Sequence, residues 1–225
     1  MDFSDLDVTI EALGPARVVD GLRPFLTEAR LASIDRVLTA RMSGMHVAVE
    51  RPEDPYNAAA VVRTAEALGV LNVHVVGAPD GTLHARKTTQ GSFNWLHTAH
   101  HADFASFLSV LQPAGVRLFG AFMGAQYALE ELPVDQPFCL LFGNEGTGLS
   151  NEALAACELG FRVPMVGMSE SLNLSVCASI SMYVTSQARR QFLGTQGDLA
   201  DDALLRERAR YYARSVDRRL LEGLR

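Results

Sequence analysis

The sequence predicts an α/β protein: a mainly parallel sheet with helical extensions at both ends. Apolar runs of strand length at 46–50, 73–76, 116–122, 137–142 and 161–163 alternate with segments of helical period, the order expected of successive β-α-β units. Glycine-bearing loops follow several of these runs, at the carboxyl ends of strands where open parallel sheets keep their ligand crevices. The length of 225 residues, 48% apolar and 20% charged, suffices for one sizeable core plus extensions.

In chain order, residues 1–26 carry Gly14, Pro15, Gly21 and Pro24 without a sustained period and read as an irregular arm. Thr27 caps a helix from Glu28 to about Met42, with Leu31, Ile34, Leu38 and Met42 on one face and Arg30, Arg36 and Arg41 elsewhere, pointing outward. His46 to Glu50 alternates as a strand, and Arg51-Pro52-Glu53-Asp54-Pro55-Tyr56 is the loop at its end. A helix from Asn57 to Leu68 stops at Gly69, and the next strand spans Val73 to Val76. The segment from Gly77 to Asn94 is too long and polar for a simple turn and holds Arg86 and Lys87. Asp103 caps a helix through Leu111. Strands over 116–122 and 137–142 follow, then a short helix capped by Ser150 and a strand at Phe161 to Val163 that stops at Pro164. A long helix opens near Asn173 and ends at Gly194. After a linker, a last helix begins at Asp201, with Leu205, Ala209, Tyr212, Val216 and Leu220 on one side and Arg206, Arg210, Arg214 and Arg218 on another. The expected organisation is an arm and helix over 1–42, a body over 43–194 and a helical extension over 195–225.

The net charge of −6 argues against a protein that coats nucleic acid indiscriminately and leaves specific RNA binding open. Lys87 is the single lysine and every other basic residue is arginine, which suits bidentate phosphate contacts and also fits plain base composition of the genome. No apolar run approaches the ~20 residues of a membrane span, and MDFSDLDVTIEALG has no signal-peptide pattern, so a soluble cytoplasmic protein is expected. Cys139, Cys157 and Cys177 are widely spaced in apolar surroundings, as core thiols are, and no His/Cys/Asp cluster has metal-ligand spacing.

The densest chemistry lies between Phe138 and Val184. The strand FCLLF runs into GNEGTGLS, where three glycines allow sharp turns. The next strand runs into VPMVGMSES and then Leu172-Asn173-Leu174-Ser175 at the mouth of the long helix. Upstream, Asn57, Ala60, Arg63 and Thr64 have the spacing Asn-x-x-Ala-x-x-Arg-Thr. Together these three ordered segments resemble the motifs of the SPOUT superfamily of methyltransferases, and the Gly-Met-x-x-Ser-Leu-Asn-x-Ser-Val run resembles its TrmH-type tRNA 2′-O-methyltransferases. The resemblance covers roughly residues 27 to 193.

The resemblance implies a C-terminal trefoil knot in the sheet, a homodimer, S-adenosylmethionine as methyl donor, no metal, and tRNA as substrate, the D-loop guanosine at position 18 foremost, with ribosomal RNA open. Donor contacts are then expected at Ala121, Phe122, Gly143, Asn144, Val163, Met165 and Leu172. The catalytic set carried over is Arg63, Asn57, Glu145, Ser171 and Asn173. A guanidinium stays charged, so Arg63 suits orienting the ribose hydroxyl through the adjacent phosphate better than acting as a free base. For Asn57 and Ser171, helix capping is the competing structural explanation. Glu145 is expected to orient a partner arginine across the dimer or to neutralise one. RNA contacts are expected at Arg30, Arg86, Lys87, Arg189, Arg190, Arg206, Arg210 and Arg214, though the acidic residues of the last helix equally suit a solvated face. Asn94 departs from the family, which commonly has Lys there. A non-catalytic RNA-binding dimer of the same fold is the alternative; the intact motif residues argue against it.

Overall fold

A computed structural model describes residues 3–78 and 91–224, with backbone only for 3–5. The chain divides into two compact units, one of residues 42–195 and one of the terminal segments 1–41 and 196–225.

The larger unit is a seven-stranded sheet in the order β3-β2-β1-β6-β4-β7-β5. The strands are β1 (Met42–Glu50), β2 (Val70–Val76), β3 (His97–His101), β4 (Arg117–Ala121), β5 (Tyr127–Ala128), β6 (Phe138–Phe142) and β7 (Leu159–Arg162). Every pairing is parallel. The centre of the sheet is covered on both faces, because alternate side chains of β1 and β6 enter different cores. Val47, Val49, Leu140 and Phe142 join Ala58, Val61, Val62, Ala65, Ala178 and Met182. Ala48, Cys139 and Leu141 join Phe104, Phe107, Leu111 and Ala153. One face therefore carries the helices Pro55–Leu68 and Leu174–Leu193, the other Phe104–Leu111 and Asn151–Ala156.

Expected strands are found, with shifted ends. The first runs back to Met42, so the helix before it stops at Leu38. The polar strand His97–His101 and the two-residue strand Tyr127–Ala128 carried no apolar alternation and were not expected. Each lies at an edge of the sheet, where half its surroundings are solvent.

In the second unit the expected irregular arm is two helices, Phe3–Leu13 (α1) and Pro15–Leu22 (α2), then a 3-10 turn at Arg23–Phe25. The glycine and proline punctuate helices here: Gly14 at φ 85° takes the break, and Pro15 opens the next helix, where its missing N–H costs nothing. Leu6, Ile10, Val18, Val19 and Leu22 are buried. They are joined by α3 (Glu28–Leu38), capped by Thr27 as expected. In the larger unit follow α4 (Pro55–Leu68), α5 (Phe104–Leu111), α6 (Asn151–Ala156) and α7 (Leu174–Leu193), and the chain closes in the second unit with α8 (Asp201–Ser215) and α9 (Arg218–Glu222). Helix α8 packs on α2 and α3.

The expected continuous arginine stripe is corrected by this packing. Asp217 starts a new helix by accepting from the Arg219 N–H at 2.9 Å, so Arg218 is off the α8 face. Arg210 is buried beside Glu207, at 3.5 Å, and Asp7, at 3.6 Å. Arg206 is half exposed and already paired with Glu11 and Asp202. Arg30 donates to Ser215 Oγ at 2.9 Å, and Arg41, expected to point outward, is buried with its Nε 2.9 Å from the Tyr211 hydroxyl. With a core this small, the stems of Arg41 and Arg210 are drawn into it.

Candidate functional site

The strand ends of the central sheet deliver their loops to one cavity of about 550 Å³. Every position expected to hold the donor lines it: Ala121 and Phe122 after β4, Gly143 and Asn144 after β6, Val163 and Met165 after β7, and Leu172 before α7. Glu145, Ser171 and Asn173 line it too. The list expected from sequence lacked Phe142, Phe161, Leu174 and Cys177, which are cavity wall and core at once, and Arg162.

The loop after β6 is a closed turn. Asn144 and Gly148 exchange backbone hydrogen bonds at 3.1 and 2.9 Å, and the Asn144 side-chain oxygen accepts from the N–H groups of Gly146 and Thr147 at 2.8 and 2.9 Å. Gly148 needs its left-handed φ of 68°, and a Cβ on Gly143 would overlap the Gly148 and Leu149 backbone. The end of β1 grips this loop at both ends. Arg51, at φ 47° the one non-glycine residue with positive φ among the described residues, offers its carbonyl to Asn144 Nδ2 at 2.8 Å. Glu50, a buried carboxylate, accepts from the Ser150 N–H at 2.9 Å. The sequence reading passed over both residues: one polar residue closing a strand carries no signal of what its carboxylate meets.

Glu145 reaches back the other way. Its carboxylate accepts from the Glu53 N–H at 2.8 Å and the Asn57 amide at 2.8 Å, with the Asp54 N–H at 3.4 Å. Burial pushes this carboxyl up, but the hydrogen bonds from Glu53, Asn57 and Asp54 outweigh it, and its pKa lies below the ordinary carboxylate value. Asn57 Oδ1 in turn accepts from Asn173 Nδ2 at 3.1 Å. Neither capping explanation for Asn57 and Ser171 holds. Asp54 caps α4, accepting from the Tyr56 N–H at 2.8 Å. Asn173 caps α7, its Oδ1 accepting from the N–H groups of Ser175 and Val176. Asn57 is nearly buried and spends its amide wholly on tying the two other segments together.

Arg63 is exposed on α4 and stands outside the cavity lining. Several expected RNA contacts are corrected by burial. Arg189 is buried, donating to the carbonyls of Val134 and Gln136 at 2.7 and 3.1 Å. Arg190 donates to the Leu68 carbonyl at 2.7 Å, and burial lowers its pKa. Both arginines fasten α7 to the body. Arg86 and Lys87 lie outside the described residues. Arg214 is half-buried on α8.

The cysteines carry raised pKa values through burial, Cys157 pushed up to about 12 by burial and then by Glu50, so they are protonated thiols at neutral pH. Away from the cavity, His46, His74 and His101 form a line across β1, β2 and β3, with ring nitrogens 3.0 Å apart at each step, and Phe107 meets His74 and His101 edge to face. Burial first, then the neighbouring histidines, lowers the pKa of His74 well below its ordinary value, and burial with His100 lowers that of His101.

The cavity's materials suit S-adenosylmethionine. Its volume is in the ordinary range for small-ligand pockets, its walls include Phe142, Phe161 and Leu174, and strand-end backbone and an ionised Glu145 stand at its rim.

Comparison with known proteins agrees with this geometry. The chain is 33% identical over 168 residues to a tRNA (guanosine(18)-2′-O)-methyltransferase of Thermus thermophilus, covering 74% of this chain and 85% of the relative. A TrmH/SpoU tRNA modifying enzyme of A. aeolicus superposes with a TM-score of 0.73 at 26% identity, covering 84% of this chain and 98% of that one. The SpoU methyltransferase AviRb of Streptomyces viridochromogenes, solved in complex with AdoMet, superposes with a TM-score of 0.62 at 26% identity, covering 70% and 64%. The pattern of one family spans residues 44–183, strand β1 through the body of α7, and on that match the chain belongs to the SpoU rRNA Methylase family.

Proposed function

We propose that this protein transfers a methyl group from S-adenosylmethionine to a ribose 2′-hydroxyl of tRNA, with the guanosine at position 18 as acceptor. The observation that carries this reading is the chain Glu145–Asn57–Asn173, in which three distant segments meet by side-chain hydrogen bonds at the rim of one cavity. Support for the acceptor comes from the activity named for the Thermus thermophilus relative.

The bound donor supplies an electrophilic methyl carbon. The protein's own part is holding and orienting. The loops after β4, β6 and β7 hold the donor through backbone groups and apolar walls. Glu145, fixed by two backbone N–H groups and Asn57, keeps the rim loop and the start of α4 in register, and Asn173 locks α7 to both. Arg63 binds the phosphate beside the acceptor ribose with its planar fork and aims the hydroxyl, a contribution of several kcal/mol to the barrier on the scale of orientation effects.

Because Arg63 lies outside the lining of its own chain's cavity, we further propose a homodimer in which Arg63 of a second copy completes each site. The exposed Val166, Met168, Val176, Ile180 and Tyr183, on α7 and the loop before it, are the face such a copy would cover. The trefoil knot and a cytoplasmic location belong to the same reading. The strand order, with β6 between β1 and β4 and β7 beyond, supports the former, and among the described residues no helix is long and apolar enough to cross a membrane. Among the helical extensions, Arg206 and Arg30 remain candidates for RNA contact; the Arg214 Nε and Nη2 are buried.

The test is incubation with unmodified tRNA transcripts and donor carrying a radioactive methyl, followed by mapping of the modified nucleotide. Label at guanosine 18 is expected. Label on ribosomal RNA with none on tRNA would overturn the substrate, and no transfer to any RNA would overturn the activity.

A further inference from the structure

Between β4 and β5 the chain forms a lip on the donor cavity. Phe122 and Met123 line the cavity and are exposed, while Ala125 is buried. The Phe122 N–H donates to the Phe161 carbonyl at 3.1 Å, Gly124 turns at φ 79°, and Tyr127 and Ala128 return to pair with Phe161 and Arg162. That turn leaves the carbonyls of Ala125 and Gln126 pointing away from strand partners. The Arg162 guanidinium takes both through Nη1, Gln126 at 3.0 Å and Ala125 closer. Gly160 provides the seat: a Cβ there would overlap the Phe122 ring and meet Ala125 Cβ at 3.3 Å.

Arg162 and Glu145 are the ionised groups among the cavity's lining residues. An arginine in such a cavity could serve the carboxylate of the donor's amino-acid tail directly. The hydrogen bonds place it differently. Its Nη1 is turned onto two main-chain carbonyls, and charged donors hold such groups more firmly than neutral ones. The structure assigns to Arg162 the role of a positioning residue, which fixes residues 122–126 in the donor-binding shape through the Ala125 and Gln126 carbonyls, with Gly160 as the slot that admits Phe122.

Calorimetry with two ligands on the full-length protein tests this. S-adenosylmethionine carries the amino-acid tail, and 5′-methylthioadenosine lacks it. Arg162→Ala is expected to weaken both by a similar factor, roughly tenfold, the lower end of the scale for one charged hydrogen bond. It should also speed amide hydrogen exchange across residues 122–128 of the donor-free protein. Gly160→Ala, which leaves the charge untouched, should weaken both ligands as well, and Arg162→Lys should recover part of the loss by reaching one carbonyl. Weakening confined to S-adenosylmethionine would overturn the role, making Arg162 a carboxylate ligand. Unchanged binding of both by Arg162→Ala would overturn it too. Wild-type protein that binds neither ligand would instead overturn the donor assignment on which the role rests.

Discussion

Asn173 donates its side-chain amide to Asn57 Oδ1 across 3.1 Å, although the two residues are 116 positions apart. Asn173 is at the same time the cap of α7, and Asn57 is at the same time the donor to Glu145. An amide can do this because it donates and accepts; a carboxylate at either position could only accept and an ammonium could only donate. Asn57→Asp should therefore be worse than a loss of one contact, since it sets a second carboxylate 2.8 Å from Glu145. The expected outcome is a loss of methyl transfer of at least a hundredfold, with donor binding by calorimetry changed much less. Full turnover by this variant would show that the network has no part in catalysis.

Arg63→Ala should keep the fold and donor binding and lose methyl transfer. Arg63→Lys should rescue little, because a point charge does not reproduce the fork that orients a phosphate. Near-normal single-turnover rates for the Lys variant would rule out an oriented guanidinium.

The histidine line makes stability depend on pH in a stated direction. His74 and His101 have folded pKa values below the 6.5 of the free side chain, so below pH 6.5 the unfolded chain takes up protons that the folded chain refuses. Their contribution is complete above pH 6.5 and is lost as pH falls below it, at up to about 1.4 kcal/mol per pH unit for each group. Urea midpoints at pH 7.5, 6.5 and 5.5 should fall in that order. His74→Gln should show a shallower fall between 6.5 and 5.5, and an identical slope would mean that His74 titrates normally.

Arg206 and Arg210, one turn apart on α8, should respond in opposite ways. Arg210→Met leaves the Glu207 carboxylate buried and should cost about 3 kcal/mol or more of stability, with little change in the salt dependence of tRNA binding. Arg206→Gln should leave the melting temperature nearly unchanged, since its pairs with Glu11 and Asp202 are solvent-exposed. If Arg206 meets a phosphate, that variant lowers the salt slope of tRNA binding by roughly one. An unchanged slope removes Arg206 from the RNA-binding surface.

The expected donor positions came from the family resemblance, and the structure brings all of them to one cavity because the motifs that carry it lie at strand ends and in glycine-bearing loops. The cavity walls Phe142, Phe161 and Leu174 carry no such signal, because apolar residues on strands and at a helix mouth fit a core, which these also are. Glu50 and Arg162 were passed over because a single charged residue on a strand reads alike whether it meets solvent or a distant backbone group.

The amino-acid sequence by itself determined the alternation of strands and helices, the caps at Thr27, Asp103 and Ser150, the glycine stops at Gly69 and Gly194, and the three motifs that place the chain in its family. Those features are set by contacts within a few residues, where capping, φ restriction and apolar period act. Tertiary structure alone decided which polar groups meet across the sheet: Glu145 with Asn57, Glu50 with Ser150, and Arg162 with the Ala125 and Gln126 carbonyls. It also decided that Arg189 and Arg210 point inward. The fate of a long charged side chain depends on what packs above it: the Val134 and Gln136 carbonyls at Arg189 and Asp7 of α1 at Arg210 come from distant parts of the chain.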